Sequence, residues 1–122
     1  MITEVKFVSI PVKDYDRALK FYTDKIDFKL VLDQRFVDGS RWIELQISES
    51  KTKVVLFTPH GQENRIGSFM NLSFTCDDIE KTYNEFKSKG VEFKVTPTKA
   101  PWGIYAQFLD SEGNKIIIQA EN

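Results

Sequence analysis

Three side chains that could bind or transform a small molecule alternate along one short segment. Trp42, Glu44 and Gln46 are separated by single apolar residues. This pattern is typical of a half-buried β-strand, whose successive side chains point to opposite faces of a sheet. The indole could stack on a planar ring, the amide could orient a ligand, and the carboxylate could act as a base or hold a cationic group. Alternatively, Glu44 is an exposed carboxylate that pairs with Arg41 or Lys53.

Other reactive residue types are scarce. The chain has one histidine, His60, and one cysteine, Cys76. His60 lies in a polar segment, where a solvated side chain and a contact at the rim of a binding site both stay open. Cys76 occupies an apolar strand position, which favours a buried, unreactive thiol. Because no Ser-His-Asp set, phosphate-binding glycine loop or paired cysteine motif is present, Glu44 is the single candidate catalytic residue.

The composition limits the classes of function. With 122 residues, of which 41% are hydrophobic, the chain is large enough for one packed domain. The 17 basic and 18 acidic side chains nearly cancel and form no block of like charge, which argues against a nucleic-acid or membrane surface. The N-terminus lacks the pattern of a signal peptide, and a lone cysteine is compatible with the cytoplasm.

The elements that must position these side chains form a repeat. The segment 7–19 has the same order of residue types as the segment 71–83, with Ser9 matching Ser73 and Asp14 matching Asp78. In each copy an alternating strand leads to an acidic turn, and the turn opens an amphipathic helix. Asp14 is expected to cap the first of these helices.

The remaining patterns complete a β-α-β-β-β order in each copy. We predict an α+β fold, with a first module at residues 1–58, a linker at about 59–68 and a second module at 69–122, whose curved mixed sheet surrounds a cleft. The predicted strands span residues 5–12, 28–36, 41–47, 53–57, 70–76, 91–96, 104–109 and 115–120. Residues 97–103 are predicted to be a loop that carries Trp102 over the cleft.

One helix covers only one face of a four-stranded sheet, so the other faces must contact something else. Alternation assigns to these open faces a set of aromatic, amide and hydroxyl side chains: Phe7, Ser9, Trp42, Glu44, Gln46, Val55, Phe57, Asn71, Ser73, Tyr105, Gln107, Ile117 and Gln119. We predict ligand contacts from Phe7, Trp42, Glu44, Gln46, Phe57, Asn71, Trp102, Tyr105 and Gln107. Alternatively, the aromatic residues fill the space between two modules or two subunits.

Several motifs resemble those of the vicinal oxygen chelate superfamily, which includes glyoxalase I, extradiol dioxygenases and bleomycin-resistance proteins. The resemblance covers essentially the whole chain and is carried by residues 10–14, 18–22, 74–79, 87–91, 101–103 and 108–114. The last of these is similar to the family's turn before the final strand, with Ser111 in place of proline. The resemblance implies the paired-module fold and says little about the substrate.

Metal-dependent members of this superfamily carry four ligands on the strands that face the cleft. By the resemblance, the matching positions here are Phe7, Val55, Asn71 and Ile117, and only the Asn71 amide could contact a metal. A shift of register by one residue would bring Val54 or Leu56, which cannot bind a metal either. The resemblance therefore implies a site without a metal or other cofactor, similar to the bleomycin-resistance branch.

Three functional hypotheses remain from the sequence. The first is a metal-independent protein that binds an aromatic or cationic small molecule in clefts of a homodimer. The second is an enzyme that uses Glu44 as a base or gains a metal through another register. The third is a structural or regulatory module whose cleft is filled by its own side chains.

Overall fold

The β-α-β-β-β order that the repeat predicts is present twice. The computed structural model describes residues 1–120 and divides into two units, Met1–Ile66 and Gly67–Asn122. The first unit contains β1 (Phe7–Pro11), α1 (Tyr15–Lys20) continued by a π-helical turn (Phe21–Lys25), β2 (Lys29–Arg35), β3 (Arg41–Gln46) and β4 (Lys53–Phe57). The second contains β5 (Leu72–Thr75), α2 (Ile79–Ser88), β6 (Phe93–Ala100), β7 (Gly103–Leu109) and β8 (Lys115–Ala120).

Each unit contains one mixed four-stranded sheet. The strand order is β1-β4-β3-β2 in the first sheet and β5-β8-β7-β6 in the second. The first and last strands of each unit pair in parallel, and the other neighbours pair antiparallel. The predicted α+β fold with two β-α-β-β-β modules is confirmed. Within residues 1–120, no helix is long and apolar enough to cross a membrane.

Both helices begin at an aspartate, as the acidic turns predict. The Asp14 carboxylate accepts a hydrogen bond from the Arg17 amide at 3.1 Å, and Asp78 accepts one from the Lys81 amide at the same distance. Each side chain satisfies an amide that has no partner inside its helix. The expected cap at Asp14 is confirmed, and this local interaction sets the point where the chain leaves the sheet.

The hydrophobic core of each unit lies between its helix and one face of its sheet. In the first unit, Ile10, Ile43 and Leu56 are fully buried on that face. In the second unit, the ring of Phe86 on α2 meets that of Phe108 on β7 at 5.6 Å. Since side chains alternate along a strand, the residues between these core positions point to the opposite, open face.

The predicted loop at residues 97–103 is wrong. Strand β6 continues to Ala100, which pairs with Gly103, so Pro101 and Trp102 form a two-residue hairpin. Pro97 misled the prediction because proline cannot donate a hydrogen bond to a sheet. Here β6 is the edge strand, and its register shifts between Val95 and Thr98, where a proline is tolerated.

The turn between β7 and β8 is built around two buried polar side chains. The Asp110 carboxylate accepts hydrogen bonds from the amides of Glu112 and Asn114, at 2.8 and 2.9 Å, and from the Asn114 side-chain amide at 2.9 Å. The Asn114 side-chain oxygen accepts a hydrogen bond from the Gly67 amide at 3.0 Å. This turn therefore anchors the segment that enters the second unit, where Gly67 has a φ of +84° and lies close to the turn backbone.

Replacement of Ser111 by proline is expected to raise the free energy of unfolding by about 1 kcal/mol. Ser111 is the second residue of a turn closed by a hydrogen bond from the Gly113 amide to the Asp110 carbonyl, a position that favours proline. Its hydroxyl is buried without a hydrogen-bond partner in the described part of the chain. Urea denaturation measures the change, and Ser111→Ala, which removes only the hydroxyl, should stabilise less. A less stable proline variant would contradict this account of the turn.

Candidate functional site

The open faces of the two sheets carry equivalent rows of side chains. In the first sheet, Ser9 on β1, Val55 on β4 and Glu44 on β3 lie side by side. The equivalent residues of the second sheet are Ser73, Ile117 and Gln107. Each row thus combines a hydroxyl, an aliphatic group and one longer polar side chain. The two units differ in what surrounds these rows.

The four positions matched to metal ligands do not form two aligned pairs. Phe7 pairs with Lys53 rather than with Val55, and Asn71 lies just before β5. The residues opposite Val55 and Ile117 are Ser9 and Ser73. Among residues 1–120, no group of three or more His, Cys, Asp and Glu side chains is placed to hold a metal ion.

The first unit packs aromatic rings on its open face. The rings of Phe7 on β1 and Trp42 on β3 meet edge to face, with centroids 5.5 Å apart. Since β4 lies between these strands, the two rings close over it, on the face where Val55 is only 1% exposed. Each aromatic contact of this kind contributes about 0.5–1.5 kcal/mol beyond simple burial. This contact favours a packing role for Phe7 and Trp42.

Glu44 is half-buried between Val55 on β4 and Leu32 on β2. The pairing that we considered for it is wrong: Arg41 binds Asp33 and Asp16, and the Lys53 ammonium donates to the Lys51 carbonyl at 3.4 Å. Arg41 is three residues from Glu44 along the strand, so its side chain points to the other face. Within residues 1–120, the Glu44 carboxylate makes no hydrogen bond or ion pair.

The two other predicted contact residues of the first unit, Gln46 and Phe57, are half-buried. Gln46 donates a hydrogen bond from its side-chain amide to the Ser48 carbonyl at 2.9 Å, which directs the amide toward the next turn. Phe57 is half-buried beside Pro11 at the end of β4. The Gln46 side-chain nitrogen is therefore already engaged with the turn, and Phe57 has no polar group in its side chain.

The second unit leaves an open cavity beside its aromatic pair. The Trp102 ring lies against that of Tyr105, with centroids 5.5 Å apart and ring planes tilted by 38°. The cavity next to Trp102 has a volume of about 390 Å³ and is also lined by Thr75, Gln119 and Ala120. Thr75, Gln119 and Tyr105 are neighbours across β5, β8 and β7 on the open face. Trp102 keeps 57% of its surface exposed.

Three lining residues, Thr75, Gln119 and Ala120, were not among the predicted contacts, although alternation placed Gln119 on the open face. Thr75 could have been found from the alternation that places Ser73 on the open face, whereas the location of Ala120 depends on where β8 ends. Two predicted residues of this unit lie elsewhere: Gln107 is half-buried in the row with Ile117, and Asn71 is exposed before β5.

The single cysteine and the single histidine lie in different surroundings. The Cys76 thiol is 3.7 Å from the Gln119 carbonyl oxygen, to which it donates. Burial, together with the charges of Asp77 and Asp78, raises the pKa of this thiol. A raised pKa keeps the thiol protonated and weakens it as a nucleophile. His60 is exposed, in agreement with a solvated side chain.

Comparison with protein families shows which family the chain belongs to. The family model described as Glyoxalase/Bleomycin resistance protein/Dioxygenase superfamily matches residues 4–118. The chain belongs to this superfamily. The resemblance inferred from the motifs is thereby confirmed along almost the whole length. As a member of the glyoxalase/bleomycin resistance superfamily, the protein has a fold that supports many chemistries, so the site must decide the function.

Similar proteins align with this superfamily member over nearly its full length. YetH of Bacillus subtilis is 29% identical over 98% of this chain and 99% of its own. YurT of the same organism is 31% identical over 94% of this chain and 97% of its own. Among solved structures, TnmS3, an antibiotic binding protein from Streptomyces sp. CB03234, has a TM-score of 0.89 and 30% identity over 99% of this chain and 98% of its own. A superfamily member from Sphaerobacter thermophilus has the same TM-score, with 28% identity over 98% of each chain.

Proposed function

We propose that the protein is a metal-independent binding protein for a small aromatic or cationic compound, and that the ligand stacks on Trp102. The observation that carries this proposal is the half-exposed Trp102 ring beside Tyr105, at the edge of a cavity of about 390 Å³. Cavities of 300–1,000 Å³ lined by aromatic groups and a few polar groups are typical of small-molecule sites.

The chemistry of the lining supports a planar ligand. The indole and phenol rings offer π-faces, which attract both aromatic rings and cations. The Thr75 hydroxyl and the Gln119 amide can donate and accept hydrogen bonds at the opposite wall. None of the lining residues Thr75, Trp102, Gln119 and Ala120 carries a charge, so π-stacking and hydrogen bonds would supply most of the affinity.

The similar proteins support the same class of function. TnmS3, which shares 30% identity with this chain, is an antibiotic binding protein. Antibiotic binding is therefore a role that this superfamily fold already performs in a similar protein. The predicted contacts from Phe7, Trp42, Glu44, Gln46, Phe57, Asn71 and Gln107 stay predictions, and the Phe7–Trp42 contact favours packing for that pair.

Loss of the Trp102 ring is expected to weaken binding about 30-fold, because aromatic anchors in binding sites contribute about 2 kcal/mol. Trp102→Ala would be titrated by calorimetry with three probes: 1,4-dihydroxyanthraquinone, the planar cation proflavine, and bleomycin. Phe69→Ala is the matched control, since it removes another exposed aromatic ring of the second unit at a residue that is not among the predicted contacts. Equal affinity in Trp102→Ala, or no affinity of the wild type for any probe, would contradict the proposal, as would binding that a chelator abolishes.

Homodimer formation is part of the proposal and is supported by the surface of the first unit. Strand β2 is exposed along its whole length, including Leu30, Val31 and Leu32, and Phe36 and Val37 follow in the hairpin. The corresponding edge strand β6 instead carries lysines and a proline, which discourage strand pairing. Light scattering is expected to give twice the chain mass of 14.2 kDa, whereas the mass of a single chain would rule out the dimer. A cytoplasmic location stays a prediction.

A further inference from the structure

A second cavity lies in the first unit, away from the open face of its sheet. Its volume is about 440 Å³, and it lies between the start of α1 and the β2–β3 hairpin. Its lining includes Lys13, Tyr15, Asp16, Arg35, Phe36 and Arg41. The cavity thus combines cationic groups with an aromatic wall, a mixture different from that beside Trp102.

Arg41 forms a rigid wall of this cavity. Its side chain is only 7% exposed, and its guanidinium donates two hydrogen bonds to Asp33, at 2.8 and 2.7 Å. The guanidinium carbon lies 5.8 Å from the centre of the Tyr15 ring. Tyr15 is held in turn, since its hydroxyl accepts a hydrogen bond from the Thr58 amide at 3.0 Å. The guanidinium plane is therefore oriented before any ligand arrives.

One edge of this guanidinium is incompletely used. A guanidinium has five N–H donors. Within residues 1–120, Arg41 donates two to Asp33 and one to Asp16, through Nη1 at 2.7 Å. A carboxylate that binds an arginine in the strongest geometry uses both of its oxygens. Asp16 uses one, and its side chain is 78% exposed, so it is free to turn toward solvent.

The Asp16 oxygen lies between two guanidinium groups. It is 2.7 Å from Nη1 of Arg41 and 3.9 Å from Nη2 of Arg35. Arg35 is 71% exposed and can follow a ligand that enters the cavity. The position of this oxygen therefore marks a place where a carboxylate is stabilised by two cations.

We propose that this cavity is a binding site for small aromatic carboxylates, and that Asp16 occupies the carboxylate position in the absence of ligand. The ligand carboxylate displaces Asp16, accepts hydrogen bonds with both of its oxygens from the incompletely used edge of the Arg41 guanidinium, and forms an ion pair with Arg35. Its ring lies toward Phe36, which is 47% exposed at the mouth of the cavity. Asp16 acts as an internal competitor that lowers the affinity. The site is independent of the cavity beside Trp102.

Sodium benzoate is the probe, titrated into the full chain and followed by amide chemical shifts in NMR spectra. Asp16→Ala is expected to bind benzoate about fivefold more tightly than wild type, because a competing surface ion pair is removed. Arg35→Gln should weaken binding about threefold. Arg41→Lys, which keeps the charge but loses the two-pronged geometry, should weaken it about tenfold. Asp24→Ala removes another exposed carboxylate of the same helical segment and should leave the affinity unchanged.

Neutral benzamide and inorganic sulfate test the assigned chemistry. Benzamide should not bind, and sulfate should bind more weakly than benzoate because it offers no ring to Phe36. The proposal is overturned if Asp16→Ala binds benzoate no more tightly than wild type. It is equally overturned if sulfate matches benzoate, or if Arg35→Gln, whose exposed side chain is not needed for folding, binds as the wild type does.

Discussion

Replacement of Asp110 by alanine is expected to lower the free energy of unfolding by about 3 kcal/mol. The carboxylate is 6% exposed and accepts hydrogen bonds from the amides of Glu112 and Asn114 and from the Asn114 side chain. Alanine would leave these donors without their acceptor in a site that water does not reach freely. The cost of an unsatisfied buried donor is about 1–3 kcal/mol, and neighbouring costs do not add fully.

Urea denaturation of Asp110→Ala measures this effect as a lower midpoint at an unchanged slope. Asp110→Asn should fall between wild type and alanine, since it keeps one acceptor oxygen but turns a second NH₂ group toward the Asn114 amide. Lys115→Ala, an exposed change next to the turn, is the matched control and should stay within about 0.5 kcal/mol of wild type. A loss below about 1 kcal/mol in Asp110→Ala would show that water replaces the carboxylate, contrary to the buried network.

Replacement of Arg41 by methionine is expected to lower the free energy of unfolding by about 2 kcal/mol at neutral pH. Methionine keeps much of the apolar stem but removes the bonds to Asp33 and Asp16. Hydrogen bonding to Arg41 holds the pKa of Asp33 below its usual range. A carboxylate with a lowered pKa stabilises the folded state above its unfolded pKa, and this contribution is lost as the pH falls through its folded pKa.

The difference in stability between wild type and Arg41→Met should therefore be largest near pH 7. It should shrink as the pH falls below the unfolded pKa of about 4, because the unfolded chain then takes up a proton while the folded Asp33 carboxylate stays ionised down to its lowered pKa. Denaturation at several pH values gives this difference directly. Arg35→Met, which removes a 71% exposed guanidinium 3.9 Å from Asp16, is the control and should change stability by less than about 1 kcal/mol. A difference that stays constant down to about pH 3 would show that Arg41 stabilises the unit by packing alone.

The chain's local patterns determined much of its architecture. Alternation identified the strands and separated core from open faces, because successive side chains of a strand point in opposite directions wherever the strand pairs. Asp14 marked the start of a helix because its carboxylate bonds an amide only three residues away. These interactions join residues that are only a few positions apart, so they can be predicted from the amino-acid sequence.

Tertiary structure decided which side chains from distant parts of the chain meet. The contact between Phe7 and Trp42 joins strands that are far apart in the chain, and the partners of Arg41 come from β2 and α1. The length of β6 depends on its edge position, which makes Pro97 acceptable and brings Trp102 to the tip of a tight hairpin. Alternation gave each side chain a face but not its distance from other side chains on that face. Those distances depend on strand order, register and ring orientation, which are set when distant segments pack together.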